Sequence, residues 1–188
     1  VQVHDRLGGN HQAYLWQCGS PERETVFECH LGRGREGPAK FLQNWEGILQ
    51  TDGYQAYDNI GGPKMIHVGC WAHARRKFVD AVKVNPNDGP AIAMVTRMDA
   101  LFLVDRHARQ QQLGAEERLA LRREHAASWA QEIHEECVKL RGSALPKSAL
   151  GQAGSSPPNQ WARLRRCFQC SGVELAYTLR TTPLPPAA

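Results

Sequence analysis

Leu119, Arg122, Ala126, Trp129, Ile133, Cys137 and Leu140 recur at steps of three and four. Only an α-helix gathers that spacing onto one face, so the pattern predicts a helix over residues 115–140. A second stripe, Val95, Met98, Phe102 and Asp105 with Leu101 beside it, predicts another over 91–108. Leu113-Gly114 breaks the pattern between them. The two are therefore expected as an antiparallel pair, a helical insertion or subdomain. His107, His125 and His134 ride on these helices at a spacing that fits no common metal motif, and they read as solvated.

The stretch before this pair alternates. Val1 to His4, Tyr14 to Gln17 and Thr25 to Cys29 read as short strands, the last two joined by the polar GSPERE turn. LGRGREGP reads as a loop, and Pro38 as the first residue of a helix. Phe41, Leu42, Trp45 and Ile48 or Leu49 follow at helical spacing, weakened by Gly47. Ile48 to Thr51 reads as a brief strand ended by Asp52-Gly53. The turn Gly61-Gly62-Pro63 introduces a strand from Lys64 to Val68, and Trp71 to Val82 reads as a helix with Trp71, Phe78, Val79 and Val82 inside. Such alternation is typical of an α/β or mixed-sheet domain. Beyond the helix pair, Leu145 to Leu150 starts a further helix, Gly151 to Pro158 is Gly/Ser/Pro-rich, and Trp161 to Phe168 is short and basic. From Ser171 on, a weakly ordered tail is expected.

Composition narrows the class. The 188 residues suffice for one or two domains with a real core, and 41% hydrophobic against 22% charged residues argues against wholesale disorder. A net charge of +4 permits nucleic acid as a partner without demanding it. No apolar run approaches the ~18 residues of a membrane-spanning helix. Six cysteines are too sparse for a disulfide-stapled scaffold, so mostly reduced thiols are expected. The chain opens on Val1 inside a strand-like segment, which suggests a fragment, a processed chain or an incomplete gene model.

Chemistry could reside in three places. Asp52 directly follows a hydrophobic strand, where ligand and metal groups commonly emerge; alternatively, its carboxylate caps a helix starting near Tyr54. Cys70-x-x-His73 opens a helix and, with Cys167-x-x-Cys170, has the donors of a zinc site; otherwise Cys70 is a buried thiol and His73 a hydrogen-bonding or substrate-contacting side chain. Basic residues cluster as Arg33 and Arg35, as Arg75, Arg76 and Lys77, and as Arg163, Arg165 and Arg166. The first pair sits in a glycine-rich loop that would let a phosphate backbone approach closely, although short clusters are also ordinary solvated surface. Tyr54, Tyr57 and Trp71 would stack on bases or belong to the core. GRGREG lacks the spacing and the lysine of a nucleotide-binding loop.

Three stretches, LGRGREGPAKFL at 31–42, LQTDGYQAYD at 49–58 and HVGCWAHARRKF at 67–78, closely resemble the transposases of the insertion-sequence 66 family of bacterial mobile elements. PKSALGQA at 146–153 and NQWARL at 159–164 fit as well, so the resemblance covers roughly residues 1–168.

The resemblance implies a DDE-type, ribonuclease-H-like core: an α/β mixed sheet with a helical insertion, incomplete at both ends. Residues 1–89 would be a partial core, 90–141 the insertion, 142–170 return helices and 171–188 a divergent, disordered tail. It implies DNA transposition by phosphoryl transfer with Mg²⁺ or Mn²⁺, element ends and target DNA as partners, a homo-oligomer when intact, and a cytoplasmic, nucleoid-associated setting without membrane. Asp52 matches the second acid of the triad and a Mg²⁺ ligand. Arg33, Arg35, His73, Arg75, Arg76 and Lys77 become DNA-contact candidates. The first acid of the family has no counterpart, since Asp5 falls too late. Glu174 stands near the third acid without its Glu-Asn context, and a frameshift between Cys167 and Ser171 would explain this. An inactive chain is therefore expected. The alternatives are a non-catalytic DNA-binding remnant and a zinc-stabilised module built on Cys70, His73, Cys167 and Cys170.

Overall fold

The computed structural model describes residues 2–4, 9–20 and 25–176. They form an α/β protein made of two compact units, one from residues 1–47 and 54–65, the other from 48–53 and 66–176.

The first unit holds two antiparallel pairs. Strands β1 (Gln2–His4) and β2 (Asn10–Gln12) pair with Val3 opposite His11. Strands β3 (Tyr14–Gly19) and β4 (Thr25–His30) form a hairpin with Tyr14 opposite His30 and Gly19 opposite Thr25. Both hairpin strands run slightly longer than the sequence predicts, and most of the turn between them lies outside the described residues.

Helix α1 (Glu36–Leu42) starts before Pro38, which is its third residue rather than its first. Proline is tolerated there because first-turn amides have no intrahelical acceptor. Gly37 is buried beneath Trp16; a Cβ on it would come within 3.1 Å of the indole nitrogen. The helix ends at Gln43, whose φ of 44° leaves the helical region. Trp45 consequently drops out of the expected stripe and is exposed. A short 3-10 turn, Gln55–Tyr57, follows, with Tyr54 at its N-cap position.

The second unit begins with strand β5 (Ile48–Thr51), where the sequence places it, paired in parallel with β6 (Ile66–Gly69). Five helices follow: α2 (Trp71–Val84), α3 (Gly89–Gln110), α4 (Ala115–His125), α5 (Ala127–Ser143) and α6 (Ala149–Leu164). Asp88 caps α3 by accepting from the Ala91 amide at 3.0 Å. The core joins Val68 and Trp71 to Phe78, Met94, Met98, Leu101, Ile133 and Leu164, all essentially closed to solvent.

Two expectations change here. The predicted 115–140 helix is divided at Ala126, whose φ of −122° is not helical, into α4 and α5. The stripe survives because the interruption is one residue, but Ala130 takes the inward place expected of Trp129, which is exposed. The further helix, expected to start over Leu145 to Leu150, begins at Ala149, and the Gly/Ser/Pro-rich segment, to which the residues alone assigned no element, is the body of this helix α6, with Gly151, Ala153, Gly154 and Pro157 buried. Its small residues let α6 lie against the α5 backbone, where a Cβ on Gly154 would be 3.2 Å from Leu140 Cβ. Ser148 caps this helix through the Gly151 amide. Tertiary packing thus overrides a composition of poor helix formers.

Residues 171–176, assigned from sequence to a weakly ordered tail, are packed: Val173 and Leu175 are buried, and the Leu175 carbonyl accepts from the Trp71 amide at 3.1 Å. The rest of that tail lies outside the described residues. No helix among the described residues is long and apolar enough to cross a membrane.

Candidate active site

The parallel register sets Thr51 beside Gly69, so β5 and β6 end together. Asp52 is the next residue of one strand, and Cys70, the N-cap residue of α2, the next of the other. The carboxylate and the Cys-x-x-His motif therefore emerge at the same C-terminal edge of a parallel pair, the edge at which α/β proteins assemble their sites.

Asp52 is exposed. Gly53 follows with φ +86°, a conformation that glycine alone adopts without strain, and its amide donates to Thr51 Oγ1 at 3.3 Å. Thr51 Oγ1 in turn shares a buried hydrogen bond of 2.7 Å with His67 Nε2. Arg166 donates to the His67 carbonyl at 2.9 Å, fixing that strand from the far side of the sequence. In the 3-10 turn that follows, Tyr54 holds the N-cap position and its side chain makes no capping bond.

His73 is half-buried on the first turn of α2. Its imidazole is held above its usual value, chiefly by the hydrogen bond with the Cys70 side chain; the charges of Cys70 and Asp52 add to this, while burial and Arg76 oppose it. Cys70 is buried, and its thiol also points to the Leu175 carbonyl at 3.9 Å.

Glu174 enters this region through its backbone, whose carbonyl accepts from the Gln50 amide at 2.7 Å. Its carboxylate is instead paired with Arg109 at 3.0 Å. Among the described residues no three His, Cys, Asp or Glu side chains gather to hold a metal ion. Among the described residues this edge therefore carries the exposed carboxylate of Asp52 without a cluster around it, which does not fit a two-metal centre. Asp5 lies outside the described residues. The four candidate zinc ligands do not converge either. The Cys167 thiol is buried, donates to the Gly69 carbonyl at 3.5 Å, and is pushed strongly upward by burial, which keeps it protonated.

The basic candidates separate. Arg75 is engaged by both oxygens of Asp99, at 2.7 and 2.9 Å. Arg76 and Lys77 are exposed on the same helix. Arg33 and Arg35 are exposed in the first unit. Of the aromatic candidates, Trp71 is core, edge-on to Trp161 and Phe168. Tyr54 and Tyr57 pack around Trp16 at centroid distances of 6.1 and 5.5 Å. His134, expected to be solvated, stacks on Trp161 at 4.3 Å. Sequence reasoning missed Gln50, the Thr51–His67 pair and Gln160, whose side chain lies against Gly53. Only the strand register and the return of α6 bring them in, and no local spacing announces either.

A family model described as "Transposase IS66 family" matches residues 1–176. Three uncharacterized proteins of Sinorhizobium fredii (strain NBRC 101917 / NGR234) are similar. The protein y4qI is 29% identical over 162 residues, 78% of this chain and 30% of the relative. The protein y4hP is 31% identical over 139 residues, 65% and 25% respectively. The protein y4jD is 28% identical over 141 residues, 71% and 27%. The chain thus spans under a third of the length of these curated relatives. No solved structure matches.

Proposed function

As the chain belongs to the Transposase IS66 family, we propose that it is the part of a DNA transposase that contributes Asp52 to a ribonuclease-H-like catalytic centre. The observation that carries this reading is the placement of Asp52: exposed, one residue past a parallel strand, at the edge where Cys70 and His73 also emerge. The antiparallel hairpin before it and the helices after β6 suit such a core.

Transposition exchanges one DNA phosphodiester for another, and the family's chemistry is metal-assisted. Divalent metals stabilise the attacking and leaving oxygens, which requires several carboxylates at one point. Asp52 alone does not meet that requirement, so no catalytic step follows from these residues by themselves. The isolated chain is accordingly proposed to be inactive. A second reading, a DNA-binding element without catalysis, is favoured by the same absence of an acidic cluster among the described residues and by the exposed Arg76 and Lys77.

Two measurements test the proposal. Incubated with Mg²⁺ or Mn²⁺ and duplex DNA carrying insertion-element ends, the chain is expected to give no strand-transfer product; Asp52-dependent product would overturn the inactivity. Titration with Mn²⁺ is expected to broaden the amide resonances of Asp52 and Gly53 first, with loss of the effect in Asp52→Asn. Unchanged broadening in that variant, or broadening elsewhere only, would remove Asp52 from the metal site and leave the non-catalytic reading.

A further inference from the structure

Arg33 and Arg75 are both arginines beside partners, but the partners differ in kind. Arg75 is neutralised by a bidentate carboxylate. Arg33 is held by aromatic faces: its guanidinium carbon lies 4.3 Å from the ring centroid of Tyr54 and 6.0 Å from that of Tyr14. The Tyr54 hydroxyl donates to the backbone carbonyl of Arg33 itself at 2.7 Å, so one tyrosine grips both ends of the residue. Tyr54 is in turn packed on Trp16, which meets Tyr57 edge-on. All of these residues belong to the first unit.

An aromatic face restrains a guanidinium without cancelling its charge, and it covers the flat face while leaving the N–H edge open. Among the described residues no carboxylate pairs with Arg33, which is exposed between Gly32 and Gly34. The Glu36 carboxylate lies against Gly34 but forms no ion pair with Arg33; a restrained fork of N–H donors that no carboxylate pairs, on a glycine-flanked loop, is an arrangement that grips a phosphate.

We infer that Arg33, laid over Tyr54 and Tyr14, is a pre-positioned clamp for a DNA backbone phosphate, with Tyr54 as its positioning residue. This rests on the DNA reading above. Free arginine side chains lose rotamer freedom on binding, and the tyrosine clamp removes part of that loss in advance. The contact is to the backbone, so it serves any sequence.

Fluorescence anisotropy of the full chain with short labelled duplexes, over a range of salt concentrations, tests it. Arg33→Ala is expected to weaken binding about tenfold at low salt and to reduce the slope of log K against log salt by about 1, the loss of one phosphate contact. Arg33→Lys is expected to keep the slope and lose affinity. Tyr54→Leu is expected to weaken binding with little change in slope, and to add nothing in an Arg33→Ala background. Tyr54→Phe, which keeps the ring, guards against misfolding and should lie between wild type and Tyr54→Leu. Wild-type affinity and slope in Arg33→Ala overturn the clamp while leaving the DNA reading intact. Absence of DNA binding by the unaltered chain overturns the DNA reading and the clamp with it.

Discussion

Asp105 on α3 and Arg122 on α4 form a 2.7 Å ion pair with side chains only 4% and 1% exposed. Around it the second unit is tied together. Asp105 also accepts from the Leu175 amide at 3.0 Å, and Arg122 donates to the Cys167 carbonyl at 3.0 Å. One buried pair therefore joins two helices, the 3-10 turn Arg165–Phe168 and the packed segment at 171–176.

Removing one partner strands the other charge in the core, which typically costs about 3–5 kcal/mol. Arg122→Met should lower unfolding stability by that amount in urea titrations followed by circular dichroism. The double variant Asp105→Leu/Arg122→Met should recover part of the loss, since no charge is then buried. It should not recover all of it, because the Leu175 amide loses its acceptor, at about 1–3 kcal/mol. A single-variant loss under about 1 kcal/mol would show that the pair is not sealed from water.

The thiols offer a second check on packing. Cys137 is buried on α5 and its thiol is pushed up to about 12, mainly by desolvation. Burial holds the Cys167 thiol higher still. Cys29 is exposed. Mildly alkaline reaction with a disulfide reagent should modify Cys29 rapidly and leave Cys137 and Cys167 silent until denaturant is added. Rapid modification of Cys167 in the native protein would contradict the core described here.

What the sequence made legible, and what it hid, follows one physical division. Ile48–Thr51 and the α2 helix are coded locally, by a short apolar run before Asp-Gly and by a 3.6-residue stripe, and both stand where expected. Asp52 at a strand end was legible for the same reason. The body of α6 was not legible from its own residues, because Gly151, Gly154, Pro157 and Pro158 argue locally for a loop, and only the family resemblance implied helices over 142–170. Its justification is the close approach to α5, a tertiary fact. Likewise, nothing in the order Arg75-Arg76-Lys77 distinguishes the arginine consumed by Asp99 from its exposed neighbours; only the packing of α2 on α3 does.

His73 sets a pH dependence. Its folded value lies above the ordinary 6.5, chiefly through the Cys70 hydrogen bond. A raised value means that the folded state holds the proton more tightly than the unfolded chain. The associated stability is fully present below about 6.5 and is lost as pH rises through the folded value. Imidazole resonances should show His73 titrating above the ordinary imidazole value. Cys70→Ala should move it back down, and a His73 midpoint already below the ordinary value in the unaltered chain would contradict the Cys70 contact.

Gly53 carries the strictest local demand at the candidate active site. Its φ is +86°, and a Cβ would overlap the side-chain amide of Gln160. These two penalties are separable. The amide is the end of a flexible side chain and moves aside cheaply, whereas the left-handed backbone costs any L-residue roughly 1–2 kcal/mol. Gly53→Ala should therefore destabilise the protein by about that amount, and Gln160→Ala in the same background should return little of it. Full recovery in the double variant would mean that crowding, not backbone conformation, makes glycine necessary beside Asp52. If the turn sets the carboxylate's direction, Gly53→Ala should also weaken the Mn²⁺ broadening at Asp52 while the carboxylate itself remains.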